Sequence, residues 1–427
     1  MMQAHSSGLP WRFLDPAQVA LPRFAPVRQR FVDDTLPDLR AAVAAAFQSV
    51  AGRHRIGPGQ RIAVTAGSRG IFRIAEITRH VVDELTALGA QPFIVPAMGS
   101  HGGATVAGQL EVLRGYGITE EAMGCPIHAT MEAVSLGVTE AGYEVFCDRY
   151  AYESDGIVLL NRVKPHSILV GDLGSGLLKI LAIGLGKQVG ADAIHSKGLQ
   201  EHFLPAARLA ARKAPVVLGM ALVENSYDRT ARIEAVLPED LEAADLRLLN
   251  LSKTYLPNIP FEPLDVLIVR QMGKDISGAG MDPNVVGMHR RIGGNPQREI
   301  RRIVALDLTE GSHGNAIGVG MADLITDRLR DKIDHEAMTI NALTSDFLWG
   351  IKVPLSLPTD REALALALRP FSPEGARAVL IRDTAHLDTL WVSEGLLEEV
   401  RAQDTLEVLG EPRALAFDEG GSLVLDQ

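Results

Sequence analysis

Cysteine is nearly absent: Cys125 and Cys147 are the only two among 427 residues. That is too few for a disulfide scaffold or a thiolate metal cluster. Positive charge is in deficit. With 42 Lys and Arg against 53 Asp and Glu, the formal net charge is −11, which excludes the basic footprint of a nucleic-acid binder. No apolar run approaches the roughly 20 residues that span a bilayer. The opening MMQAHSSGLPWRF has no basic segment leading into an apolar core, so no secretory signal is expected and the cytoplasm is the expected compartment. HExxH is missing, and GDLGSG and GLGKQVGAD have neither P-loop nor dinucleotide-fingerprint spacing. No repeat with a period of 20 to 50 residues is present.

What is there reads as a globular α/β chain. Hydrophobic residues make up 46% and charged residues 22%, ordinary for a water-soluble fold, and the length calls for two domains. RIAVTA is a short strand and GSRG the turn after it; Ile74, Ile77, Val81, Leu85 and Leu88 then form the apolar stripe of a helix ending at Gly89. QPFIVPA, MGSHGGAT and VAGQLEVLRGYG repeat the plan, and GIVLLNRV is a further strand of the continuously apolar kind that is buried on both faces. YLPNIPFEPL, with three prolines, is the best linker. Beyond it LDVLIVRQ, REIRRIVALDLT and RAVLIRDT are strands, and MADLITDRLRDKIDHEAMTINAL has the period of one long amphipathic helix.

The expected architecture is therefore α/β, with two α/β domains whose strand-end loops face a shared cleft. Residues 1–258 form the first and 263–390 the second, with the tail 391–427 returning to the first. Residues 1–35 are expected to drape over the surface, with one edge strand at WRFLD.

Ligands in open α/β sheets bind outside the carboxyl ends of the strands. Those ends carry Arg69 in VTAGSRG, His101 in MGSHGG, Lys164 and His166 in NRVKPHS, and Lys274 in RQMGKD. Cations and imidazoles lining a cleft in an acidic protein call for a small anionic substrate, and an arginine fork suits a carboxylate. Lys179 stands between Leu178 and Ile180; a lysine in such company must either snorkel or be held in a cleft. His195 follows sixteen residues later. His313 in EGSHGNA has no role that its neighbours assign. These residues alone leave open a lyase or hydrolase using the histidines with a simple divalent ion, and a non-catalytic organic-acid binder.

In this order the residues resemble the nickel-dependent lactate racemase family, which acts on 2-hydroxy acids, and the resemblance runs from about residue 55 to 390. It implies a carboxylate-binding role for Arg69, acid/base roles for His101 and His166, and a covalent tether at Lys179 for a nickel pincer nucleotide derived from nicotinic acid. His195 becomes the nickel ligand, and Gln271 and Lys274 contact cofactor and substrate from the second domain. Cofactor-synthesis enzymes are implied partners. Gly70 and Leu178 stand where the family's lactate racemases carry proline and arginine, which marks a divergent branch.

Overall fold

A computed structural model describes residues 15–68, 70–166, 174–195, 199–287, 298–345 and 347–425. The strands are, in chain order, β1 (Phe24–Gln29), β2 (Arg61–Ala66), β3 (Gln91–Pro96), β4 (Ala133–Val138), β5 (Glu144–Asp148), β6 (Gly156–Arg162), β7 (Lys164–Pro165) and β8 (Gly174–Ser175). They continue as β9 (Val216–Glu224), β10 (Thr230–Val236), β11 (Leu264–Val269), β12 (Ile300–Ala305), β13 (Leu324–Thr326), β14 (Leu355–Leu357), β15 (Ala378–Ile381), β16 (Thr389–Ser393) and β17 (Leu406–Val408). The chain divides into two compact α/β units, one made of residues 32–256, the other of 1–31 together with 257–427.

The 32–256 unit is built on a five-stranded sheet in the order β10-β9-β6-β2-β3. All neighbours are parallel except the β9/β10 hairpin. Ile157, Leu159, Ala63 and Val95 face one core while Val158, Leu160, Val64 and Ile94 face the other. Both faces are thus covered, which is why β6 reads as an unbroken apolar run.

The second unit carries an eight-stranded sheet in the order β14-β13-β12-β11-β15-β16-β1-β17. It is parallel from β14 to β15 and antiparallel beyond. Three sequence expectations are corrected here. The tail does not return to the first unit: β16 pairs with β15 and β1, and β17 with β1. The N-terminal segment belongs to this sheet as well, because β1 lies between β16 and β17 with Phe24, Ala25 and Val27 wholly buried. Pro26 hid that strand from sequence, since proline removes a ladder donor and argues against an interior strand; here its carbonyl still accepts from Leu409 N at 2.8 Å. WRFLD falls mostly outside the described residues.

The third correction concerns the long helix expected after Gly320. The segment is instead the buried strand β13, a short helix Asp327–Asp331 and a separate helix His335–Ser345. Thr326 caps the first helix by accepting from Leu329 N at 3.1 Å, and a threonine at that position starts a helix rather than continuing one. Among the described residues no helix is long and apolar enough to cross a membrane.

Candidate functional site

The candidate site is built on the carboxyl ends of β2, β3 and β6. Parallel register sets Ala66 beside Pro96, so the turns after β2 and β3 emerge level with each other. Two bonds hold the first turn: Tyr116 Oη donates to Ser68 O at 2.9 Å, and Phe72 N donates to Glu224 Oε1 at 2.6 Å. Arg69 lies outside the described residues. Ser68 Oγ is hydrogen-bonded to His101 Nδ1, which joins the turn after β2 to the turn after β3 and engages one imidazole nitrogen.

The His101 turn is compressed against the segment that begins at Lys179. Gly99 N donates to Gly184 O at 3.0 Å. A Cβ on Gly184 would stand 2.5 Å from Ala97 O, so only glycine allows this approach. Lys179 ends a short helical turn, Leu177–Lys179, that runs into a π-helical stretch, Ile180–Gly184. Such stretches are rare and are frequent at functional sites. Lys179 is half-buried between the buried Leu178 and Ile180.

The start of that turn is fixed from below. Both oxygens of Asp245 accept backbone amides, from Leu177 N at 2.9 Å and Leu178 N at 2.8 Å. Asn161, near the end of β6, donates to Gly176 O at 2.7 Å. Burial pushes the Asp245 carboxyl up to about 6, against the two amide bonds, which lower it.

His166 is half-buried and follows β7, whose two residues pair antiparallel with β8 just before Gly176. The ribbon thus ties the His166 strand end to the Lys179 segment. His195 closes the helix Lys187–His195.

Gln271 and Lys274 belong to the other unit. Gln271 N donates to Arg382 O at 2.9 Å, and Gln271 lines a cavity of about 320 Å³ with Arg270, Arg328 and Arg382. Lys274 Nζ donates to Gly278 O at 2.9 Å and to Asn341 Oδ1 at 2.5 Å, so this ammonium braces its own glycine-bearing turn. His313 is exposed, at φ 47° at the end of a short 3-10 turn. Among the described residues no three His, Cys, Asp or Glu side chains gather as a metal cage. A cavity of about 760 Å³ beside Ala42, Arg53 and Ala243 contains none of these residues.

Sequence reasoning missed three residues under the site: Lys187, Asp148 and Gln109. Lys187 and Asp148 are wholly buried and 2.8 Å apart, Nζ to Oδ2. The one available signal was Lys187 itself, a cation between glycine-rich apolar segments, and it resembled a phosphate-loop lysine instead.

Residues 31–202 match the lactate racemase N-terminal domain family, a span that opens where the first unit opens. No curated protein sequence matches the chain. Among solved structures the fold is similar to the lactate racemase apoprotein from Thermoanaerobacterium thermosaccharolyticum, with a TM-score of 0.51 at 13% identity over 85% of this chain and 98% of that one. A protein from Thermotoga maritima aligns at 14% identity over 67% of this chain and 73% of its own, with a TM-score of 0.46. The lactate racemase N-terminal domain family is thus matched over part of the unit that holds His101, His166 and Lys179, and the fold is similar to that of a solved lactate racemase along nearly the whole of that protein.

Proposed function

We propose that the protein is an isomerase that racemises or epimerises a 2-hydroxy acid with a nickel pincer nucleotide carried on Lys179. The observation that carries this reading is the junction of the Lys179 segment with the His101 turn through Gly99 and Gly184. It sets a half-buried amine and an oriented imidazole on one sheet edge. The residues fit such a group: Lys179 supplies an amine for a covalent tether from a rigid, apolar-flanked turn, and His195 supplies an imidazole of the kind Ni(II) accepts. When bound, the group would supply a hydride acceptor, chemistry that no side chain offers.

The chain's own residues would bind, orient and move protons. The carbon-bound proton of a 2-hydroxy acid is very weakly acidic and hard to remove as such; with the carbon-bound hydrogen leaving as hydride, the proton that the protein would handle is that of the hydroxyl. His101 is held by Ser68 at Nδ1, and exchange with substrate would run through Nε2. His166 would serve the opposite enantiomer. An imidazole titrating near neutrality can act in both directions. Arg69 would take the carboxylate.

The test is intact mass and metal analysis of the protein coexpressed with the family's cofactor-synthesis enzymes, followed by chiral analysis of 2-hydroxy acids. An adduct mapping to Lys179 with about one nickel per chain, lost in Lys179→Ala but kept in His101→Ala and His166→Ala, supports the reading. Both histidine variants should abolish interconversion. A loaded lactate racemase control beside an unmodified Lys179 here would overturn the reading in favour of simple-metal chemistry or organic-acid binding.

A further inference from the structure

Lys187 is fully buried, as is Asp148. A buried ammonium must be paired and fully hydrogen-bonded, and the partners of this one all lead to one place. Its Nζ lies 2.8 Å from Asp148 Oδ2, donates to Pro96 O at 2.6 Å and reaches Gln109 Oε1 at 3.4 Å. Pro96 ends β3, at the root of the His101 turn. Asp148 is held in turn by Ala151 N, which donates to its Oδ1 at 3.0 Å.

Gln109 is also wholly buried and completes the circuit. Its Nε2 donates to Gly99 O at 2.9 Å and to His101 O at 3.4 Å. The amide can stand only this way round, because a lysine can only donate and a backbone carbonyl can only accept. Lys187 opens the helix that ends at His195 and takes a left-handed backbone, φ 54°. A non-glycine residue adopts that conformation only where its surroundings impose it.

Stability is a poor reason for this arrangement. A buried ion pair is often no better than an apolar pair of the same volume. What it supplies is one fixed geometry. Here that geometry ties the backbone on both sides of Ser100 to the segment running from Lys179 to His195.

We infer that Lys187 and Gln109 are positioning residues that hold the His101 turn, and so aim its imidazole, against the Lys179 segment. The inference rests on the reading of His101 as the acid/base residue. The pin acts on backbone carbonyls and touches neither substrate nor cofactor.

The experiment is ¹⁵N NMR of histidine-labelled apoprotein at neutral pH, with the His101 ring signals identified by their loss in His101→Gln. In the wild type the Ser68 bond should hold the ring nitrogens at unequal shifts, as in a single hydrogen-bonded tautomer. Gln109→Met keeps the Lys187–Asp148 pair and removes both bonds to the turn. The double variant Lys187→Met with Asp148→Asn removes the pin without leaving a buried charge. In either variant, once folded, the His101 shifts should move toward those of an unconstrained imidazole while those of exposed His313 stay in place. In loaded enzyme kcat should fall about 10- to 100-fold with KM nearly unchanged, the scale of a misplaced catalytic group. Unmoved His101 shifts in folded Gln109→Met would overturn the inference. Shifted signals in a loaded protein that turns over no 2-hydroxy acid would leave the pin standing and remove the proposed function.

Discussion

Asp245→Asn should have an effect on stability that grows with pH. The Asp245 side chain reaches under Leu177 and Leu178 and accepts both amides, while burial pushes its carboxyl from an ordinary 3.8 up to about 6. A carboxyl with a raised folded pKa binds more protons folded than unfolded between those two values, so it contributes a stability that falls as pH rises through that window. The difference of about two units corresponds to roughly 3 kcal/mol at 1.36 kcal/mol per unit. A cavity of about 210 Å³ adjoins the carboxyl; water in it would lower the figure toward about 1 kcal/mol.

Asparagine keeps one acceptor and never ionises. The variant should match the wild type near pH 4 and exceed it by roughly 1 to 3 kcal/mol at pH 7. Urea unfolding at a series of pH values measures this cleanly, because all six tyrosines lie within 32–256 and all three tryptophans outside it. Tyrosine signals therefore follow the unit that contains Asp245. A stability difference that stays constant from pH 4 to 7 would refute the argument. A variant less stable throughout would mean that the two amide bonds outweigh burial.

Two further outcomes concern packing and thiol chemistry. Gly273→Ala would bring a Cβ to 2.0 Å from Thr309 Oγ1 and 2.5 Å from Asp275 Oδ1; overpacking of that kind costs about 1–3 kcal/mol. It should lower the tryptophan-detected transition and leave the tyrosine-detected one in place. Cys147 and Cys125 are buried, with thiols pushed up to about 12 and about 11 by that burial. Neither should react with an alkylating agent at pH 8 until denaturant is added, and rapid labelling of the native protein would contradict their burial.

The alternation of apolar strand, glycine-bearing turn and amphipathic stripe was enough to place β2, β3, β6 and β11 and to put His101 and His166 at strand ends, because local periodicity carries that information. Lys179 stood out for the same reason, as a charge inside an apolar run. β1 and β13 were not legible. The first contains a proline, and the second is three apolar residues that continue smoothly into a helical pattern. Pairing with distant strands decides both, and no local window contains those partners.

The sequence by itself determined the α/β class, the strand ends that carry His101 and His166 and the order of Lys179 and His195, since each depends on residues within a few positions of one another. Only the tertiary structure decided that the two ends of the chain share one sheet. It also decided that Asp245 braces the Lys179 turn and that Lys187 reaches Pro96, Gln109 and Asp148. The physical reason is burial. A charged group taken from water must find partners wherever the fold brings them, and for Lys187 they stand 91, 78 and 39 positions away along the chain.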